Sequence, residues 1–248
     1  MRKSLAAVAA LALPLAFPAA ASADNHTTSY VADLAALNDS GATGTAYLTL
    51  EGDQLTVEID SSGVLAGSPH AQHIHFQPGT DGTCPPASAD DDGNGIVSTP
   101  EGQPFYGGIQ VALTTEGDYS PESGLAVDRM PTPDDSSIDY SRTIQVSQEV
   151  IDNLTNAVIV QHGIDVNDSG DYDTEALGES ALAPGVPAEA TTPINCGEIT
   201  MAGAGGVGAG FGGTSGMESA GLVALGATAV AAGAGVLVVS RRRRGAEG

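Results

Sequence analysis

The sequence of 248 residues is poor in basic residues, aromatic residues and cysteine. It has 8 Lys and Arg against 31 Asp and Glu, no Trp and two Cys. Between residues 24 and 218 the only basic residues are Arg129 and Arg142, against 30 acidic residues, a net charge of −28. This charge excludes nucleic acid and anionic lipid surfaces as partners, because basic side chains must neutralise both. Divalent cations or a salty medium are the natural counter-charge.

The N-terminal segment has the three parts of a secretory signal. Arg2 and Lys3 are followed by an apolar run over residues 5–17 and by small residues ending at Ala23. This order predicts a signal peptide over residues 1–23, which is removed on export.

The C-terminal segment predicts a membrane anchor. A Gly-rich stalk over 201–218 precedes the uncharged stretch 219–240, which is long enough for one transmembrane helix, and the basic tail 241–248 follows. Clustered Arg stays on the cytoplasmic side, so residues 24–200 are expected to lie outside the cell as the domain of a single-pass cell-surface protein. The alternative is a sorting tail removed after export, although no LPxTG-type motif precedes it.

The predicted domain, residues 24–200, has mainly period-two patterning. Ala46, Leu48 and Leu50 share one face, and the same alternation resumes after a Gly-Asp turn. The predicted strands cover 45–50, 55–59, 109–113, 142–146 and 157–162, and one short helical turn covers 147–153. Short strands separated by Gly, Asp and Ser turns predict an all-β fold, an antiparallel Greek-key barrel or sandwich.

The two cysteines, Cys84 and Cys196, both lie in the part expected to be exported. An oxidising compartment favours a disulfide between them. The bond would close a loop of more than a hundred residues, which the chain-entropy model values at about 4–5 kcal/mol.

The segment 90–101, here called the Asp90 loop, matches the calcium-loop pattern D-x-[DN]-x-[DN]-G-x5-E at every fixed position. Oxygen ligands at alternate positions, with Gly95 at the turn, suit calcium. The predicted ligands are Asp90, Asp92, Asn94, Ile96 through its carbonyl, Ser98 and Glu101. The alternative is an acidic surface loop without a metal.

The flanks of the Asp90 loop differ from an EF-hand. Pro85 and Pro86 precede it, and Pro100, Gly102 and Pro104 follow. These residues argue against helices on either side, so we expect an isolated structural calcium loop and not a sensor.

A second segment, 165–173, here called the Asp165 loop, repeats the pattern less completely. Asp165, Asn167 and Ser169 offer oxygens at alternate positions, but the twelfth residue is Ala176. Glu175 or Glu179 could supply the missing carboxylate for a second calcium ion.

Three histidines form a candidate copper site. His73 and His75 are two apart and share a face if their segment is a strand, and His162 could add a third imidazole from another strand. Such a set suits copper or zinc. The alternative is that these histidines hold loops through hydrogen bonds.

Two related resemblances cover about residues 30 to 200. The stretch 37–75, with Gly41–Ala46 and the run from His70 to His75, resembles a CHRD (chordin-type) domain. The wider layout resembles copper/zinc superoxide dismutase, with an H-x-H strand, a Cys soon after it, a later His ending a strand and a final Cys-Gly-x-Ile. The matching residues here are His73, His75, Cys84, His162 and the segment 196–199. The resemblance implies an eight-stranded Greek-key barrel and supports the disulfide.

The sequence departs from the dismutase pattern at the enzyme's other residues. No His occurs from 76 to 161, where the bridging and zinc-binding histidines would lie, so zinc is not expected. Pro193 stands where the family has the Arg that attracts the anion, and the net charge of −28 would repel superoxide.

Two hypotheses on function follow. The first is a non-enzymatic, membrane-anchored surface domain with structural calcium and a role in adhesion or envelope organisation. The alternative is a copper-only oxidoreductase of the superoxide dismutase type, with copper held by His73, His75 and His162.

Overall fold

A computed structural model describes residues 26–203. The predicted signal peptide, nearly all of the Gly-rich stalk, the membrane helix and the basic tail lie outside the described residues. Within residues 26–203, no helix is both long and apolar enough to cross a membrane.

The described chain is built mainly of antiparallel strands. They are β1 Thr27–Ala36, β2 Thr43–Glu51, β3 Gln54–Ser62, β4 Gln72–Phe76, β5 Gly108–Ala112, β6 Ser137–Gln145, β7 Val158–His162, β8 Pro193–Glu198 and β9 Thr200–Met201. The α-helices are α1 Thr99–Tyr106, α2 Gln148–Asn153 and α3 Ala188–Thr191, and short 3₁₀ turns occupy Ala87–Ala89, Pro121–Ser123, Val127–Arg129 and Leu154–Asn156.

The strands form one curled sheet in the order β5-β4-β7-β8-β1-β2-β3-β6, with β9 beside β1. Pairing of β3 with β6 and of β4 with β7 requires crossing connections of the Greek-key kind. Backbone pairing runs as an open path from β5 to β6. Side chains of β6 reach the opposite edge, because Tyr140 Oη and Arg142 Nη1 donate to the Thr114 carbonyl at 3.1 and 2.8 Å. The predicted all-β antiparallel class is confirmed, as a curled sheet.

The alternation of apolar and polar residues in the sequence accounts for the burial pattern of strand β3. In β3 the side chains of Leu55, Val57 and Ile59 are fully buried, while Glu58, between the last two, and Asp60, which follows them, face solvent. One apolar face of each strand therefore packs into the main core, as period-two patterning requires.

Strand β4 is buried on both faces, which sets up the candidate site. Ile74 and Phe76 belong to the main core, so the intervening His73 and His75 point to the opposite face of the sheet. The second face is covered by a smaller apolar cluster and by the loops that follow β5 and β7.

Helix α1 corrects the expectation that no helix flanks the Asp90 loop. Ser98 and Glu101 form a reciprocal capping box at its start, which satisfies backbone N–H groups there. Pro100 lies in the first turn, where its missing N–H is no cost and its fixed φ suits a helix. The helix therefore starts inside the predicted calcium loop and carries Tyr106 to the sheet.

The disulfide between Cys84 and Cys196 is present and joins residues 112 apart in sequence. Cys196 is buried in β8, and its neighbours in the smaller apolar cluster are Tyr106, Val158 and Val160. The bond therefore ties the segment after β4 to the face of the sheet that carries the histidines.

Candidate metal centre

The sheet brings His73, His75 and His162 together. Strand β7 runs antiparallel beside β4, with Val158 opposite His75 and Val160 opposite His73. His162 ends β7 on the same face, after a register shift that follows Gln161. One nitrogen of each imidazole lies within 4.8 Å of the others. The three histidines therefore form one cluster, as the sequence predicted.

The cluster is buried and compact. The relative exposure of the three residues is 2–3%. The ring centroid of His73 lies 5.3 Å from that of His75 and 5.2 Å from that of His162, and the His75 and His162 centroids are 6.1 Å apart. The rings are tilted or edge-on to one another and do not stack, so each can turn one nitrogen toward a shared point.

Backbone carbonyl groups orient each ring from behind. His73 Nε2 lies 2.8 Å from the Gly124 oxygen, and His162 Nδ1 lies 2.8 Å from the Thr191 oxygen. His75 Nδ1 lies 3.2 Å from the oxygen of Gly107. A carbonyl oxygen only accepts, so these nitrogens carry the N–H, and the second nitrogen of each ring has a free lone pair.

These second nitrogens are the unusual atoms of the site. Within residues 26–203, His73 Nδ1, His75 Nε2 and His162 Nε2 are buried and have no hydrogen-bond partner. Buried polar atoms without partners are rare and costly in folded proteins, so three at one point indicate a ligand site.

Burial keeps the cluster neutral. Loss of solvation lowers the pKa of His73 well below its usual range, and the neighbouring histidines lower it further. For the same reasons the pKa of His75 falls to about 3, and burial lowers the pKa of His162 to about 4. At neutral pH the three nitrogens therefore remain unprotonated, which is the form that binds a metal.

The donor set fits copper. Imidazole nitrogens bind copper, zinc, iron and nickel, and among divalent first-row metals copper has the highest affinity for a given nitrogen site. Three imidazole nitrogens placed symmetrically at about 2.0 Å from one metal are about 3.5 Å apart, so separations within 4.8 Å need to close by at most about 1.3 Å. Carbonyl groups that hold the far side of each ring are the usual outer shell of such sites.

The backbone conformation at Gly107 explains why a glycine stands at this position. Its φ is +82°, a conformation that L side chains rarely adopt, and an added Cβ would lie 2.5 Å from the Phe76 carbonyl carbon. Glycine is therefore required where α1 ends and β5 begins, and the turn aims the Gly107 carbonyl at His75.

The cluster opens into a cavity of about 340 Å³, here called the histidine pocket. Helix α1, the loop after β5 and the loop before α3 surround it. Its lining residues beside the histidines are Ala71, Thr99, Gln103, Tyr106, Gly107, Ile109, Pro121, Glu122, Gly124, Leu125, Leu182 and Thr191. Such a pocket leaves a metal at the cluster accessible on one side.

Among residues 26–203, Glu122 is the only charged side chain that lines the histidine pocket. Both arginines of the described chain are engaged elsewhere. Arg129 donates to the carbonyl groups of Glu116 and Asp118 and to Ser123 Oγ, and Arg142 donates to the Thr114 and Gly117 carbonyl groups. The pocket therefore offers an anion no cationic side chain.

A polar network holds the loop that supplies the Gly124 carbonyl. Asp118 accepts from Ser120 Oγ at 2.6 Å and from Ser123 Oγ at 2.5 Å, and Arg129 Nη2 donates to Ser123 Oγ at 3.0 Å. The hydroxyl groups also lower the pKa of Asp118, with a smaller effect of Arg129. Because Gly124 follows Ser123, this network positions the group that orients His73. Neither the network nor the backbone acceptors could be read from the sequence.

We expect Asp118→Ala to weaken copper binding by about tenfold. This is the lower end of the range, about 10- to 100-fold, by which loss of an outer-shell contact reduces metal affinity. The reason is that Ser120 and Ser123 lose their shared acceptor, and the Gly124 carbonyl is held less firmly. Competition titration with a copper chelator measures the effect. Asp128→Ala is the matched control, since Asp128 is exposed on the same loop and its carboxylate accepts no hydrogen bond from residues 26–203. Equal affinities in the two variants would contradict the positioning role.

His70 lies near the cluster but does not belong to it. It is buried, and its Nδ1 and Nε2 lie 2.9 and 3.0 Å from the carbonyl oxygens of His162 and Leu65. The ring also contacts Tyr172 edge-on. His70 therefore has the structural role, a histidine that holds segments by hydrogen bonds, that was the alternative for the other three.

In the Asp90 loop the carboxylates of Asp90, Asp92 and Glu101 also come within 4.8 Å of one another. Asp90 accepts from the backbone N–H of Gly95 at 2.8 Å, and Glu101 accepts from that of Ser98 at 2.8 Å. The predicted ligands Asn94, Ile96 and Ser98 lie on the same turn. The oxygens already have N–H partners and face solvent, so calcium at this loop stays a prediction.

In the Asp165 loop, side-chain oxygens accept hydrogen bonds from backbone N–H groups. Asp165 accepts from the backbone N–H of Gly170, and Asn167 accepts from that of Ser169. The carboxylate that closes the loop is the fully buried Glu189, which accepts from the N–H groups of Val166 and Asp173. A second calcium site, with Glu175 or Glu179 as its last carboxylate, stays a prediction.

No protein-family model and no curated protein matches this sequence. Among solved structures the chain resembles Candida albicans superoxide dismutase 5 in its Cu(II) form, with a TM-score of 0.39 and 18% sequence identity. The match covers 75% of this chain and 100% of that chain. At this score and identity the similarity supports no conclusion about the function of this chain. The chordin-type resemblance is not shown.

Proposed function

We propose that this chain is a copper-binding oxidoreductase of the superoxide dismutase type that uses copper without zinc. The observation that carries the proposal is the convergence of His73 Nδ1, His75 Nε2 and His162 Nε2, which are buried, neutral and unpartnered. They face a pocket that a small molecule can enter. The order of His and Cys residues along the chain, which resembles that family, supports the choice of reaction.

The residues of the chain have separate tasks in this proposal. The three imidazoles hold the ion, and the carbonyl groups of Gly107, Gly124 and Thr191 fix the tautomers. Bound copper would supply one-electron transfer to and from superoxide. Apolar side chains around the pocket limit access of water to the centre.

The charge of the chain makes a specific prediction for the superoxide reaction. The described residues that line the pocket include Glu122 and no cationic side chain, and residues 24–218 carry a net charge of −28, so an anionic substrate is repelled at long range. The Debye length falls from about 30 Å at 0.01 M salt to about 8 Å at 0.15 M. We therefore expect the superoxide dismutation rate of copper-loaded protein to rise severalfold over this range, where a positively steered enzyme would slow down.

The measurement is pulse-radiolysis or stopped-flow decay of superoxide with the full chain, loaded with one copper and freed of excess by gel filtration. Metal-free protein treated in the same way is the control for adventitious copper. A rate that falls with salt would contradict the electrostatic argument. Failure to retain about one copper per chain would overturn the proposed function itself.

The surface-domain hypothesis keeps one supporting observation, the oxygen cluster of Asp90, Asp92 and Glu101. Elemental analysis after dialysis against calcium and copper together separates the two functions. Calcium retained without copper favours a domain with a structural metal and an adhesion or envelope role. Export and anchoring through residues 219–240 are proposals that rest on the sequence, and membrane fractionation of the expressing cell tests them.

A further inference from the structure

The histidine pocket is much larger than superoxide requires. A water-sized molecule occupies about 30 Å³ of liquid, whereas the pocket measures about 340 Å³. Pockets that bind organic ligands begin at about 300 Å³. The volume therefore fits an organic molecule of one ring better than a diatomic anion.

The walls and the floor of the pocket differ in character. Ala71, Ile109, Pro121, Leu125 and Leu182 supply apolar walls, and Leu125 and Leu182 remain 40% and 45% exposed at the surface. The floor is aromatic, and Tyr106 lies edge-on to His75 with ring centroids 4.8 Å apart. A flat ring placed there would make further edge-to-face contacts of the kind aromatic groups prefer.

Polar groups on the floor restrict the ligand further. The three unpartnered imidazole nitrogens accept hydrogen bonds and donate none. The Thr99 hydroxyl and the Tyr106 hydroxyl are already donated to the carbonyl groups of Thr191 and Thr99. Gln103 also lines the pocket, but its side chain is exposed to solvent at the surface. A ligand that reaches the buried floor must therefore bring its own hydrogen-bond donor.

Charge excludes the acidic ligands of similar size. Glu122 is the one charged side chain in the lining, and both arginines of the described residues are held by backbone carbonyl groups. A carboxylate would meet lone pairs on the floor and a carboxylate in the wall without a compensating cation, which is costly in a partly buried site.

We infer that the histidine pocket binds a small uncharged phenol, with the ring between the apolar walls and the hydroxyl group directed at the three histidines. This inference goes beyond the proposed function, because it assigns a ligand other than superoxide and does not depend on copper. In the metal-free protein the phenol hydroxyl donates to one of the free imidazole nitrogens.

The test is NMR titration of the metal-free full chain at pH 7, with 4-methylphenol as the probe and the histidine ring protons as the signals. We expect saturable shifts with a Kd in the range of about 1 mM, as eight heavy atoms of ordinary ligand efficiency provide. The anion 4-methylbenzoate, which has a similar shape, is expected to produce no saturable shift.

Matched surface variants locate the site. Leu182→Ser removes an apolar wall at the pocket mouth and should weaken 4-methylphenol binding at least threefold. Val127→Ser is the control, because Val127 is 48% exposed and does not line the pocket. Equal binding of the two variants, equal binding of the benzoate, or no saturable shift in the native chain would each overturn the inference. Copper retention is measured separately, so this test can fail while the proposed metal centre stands.

Discussion

Replacement of His162 by Gln is expected to weaken copper binding by at least about 100-fold, since loss of an outer-shell contact alone costs about 10- to 100-fold. His162 supplies one of three converging nitrogens, and among the described residues the group contains no fourth ligand to replace it. Gln nearly preserves the volume but offers an amide, a weaker ligand for copper than imidazole. Competition with a chelator of known affinity measures the change.

The variant has a control and an independent check of folding. His26→Ala removes an exposed histidine at the start of the described residues and should leave copper affinity unchanged. Far-UV circular dichroism of the His162→Gln protein without metal reports whether the sheet is retained. If the folded variant binds copper as tightly as the native chain, the three-histidine centre is wrong.

The sequence predicted the strands best where one face is buried and the other is wet. Leu55, Val57 and Ile59 alternate with polar residues, and the structure buries them in that order. Strands β4 and β8 have no such alternation, because both faces are covered and all or nearly all of their residues are buried. Period-two patterning therefore could not define them, and only the resemblance to superoxide dismutase pointed to a strand at the H-x-H segment.

The candidate metal residues were predictable, but their surroundings were not. His73 and His75 follow from strand geometry, and His162 follows as a third imidazole from another strand, which the resemblance supports. Their hydrogen-bond acceptors are the carbonyl groups of Gly107, Gly124 and Thr191, and any residue has a carbonyl. A sequence contains no signal for such groups, since the fold alone determines where they point.

Helix α1 shows how residues that break helices can begin one. Pro100 was interpreted as an interruption, yet proline is favoured in the first turn of a helix, and Ser98 with Glu101 is a capping box. Ser98 and Glu101 are also the last two predicted ligands of the calcium loop. One segment thus fits both a calcium loop and a helix start. In the structure the Glu101 carboxylate accepts hydrogen bonds from the Ser98 hydroxyl and N–H at the start of the helix.

Replacement of both Cys84 and Cys196 by Ser is expected to lower the free energy of unfolding of the metal-free protein by about 4–5 kcal/mol. The disulfide joins residues 112 apart, and closing so long a loop removes much conformational entropy from the unfolded chain. Urea unfolding followed by circular dichroism measures the loss. The native chain reduced with dithiothreitol is the control, and it should lose a similar amount.

The disulfide also lies near the metal centre, so copper affinity can show whether a loss of stability comes from the unfolded chain or from a displaced Tyr106. Cys196 packs with Tyr106 and Val158 on the face of the sheet that carries the histidines, and the ring of Tyr106 contacts His75. If the bond acts only on the unfolded chain, the double Ser variant should bind copper normally in the absence of urea. If the bond also keeps Tyr106 in place, copper affinity should fall together with stability. A loss of unfolding free energy below about 1 kcal/mol would contradict the loop-entropy argument. The entropy lost on closing a loop grows with its length, and for more than a hundred residues the model gives several times that value.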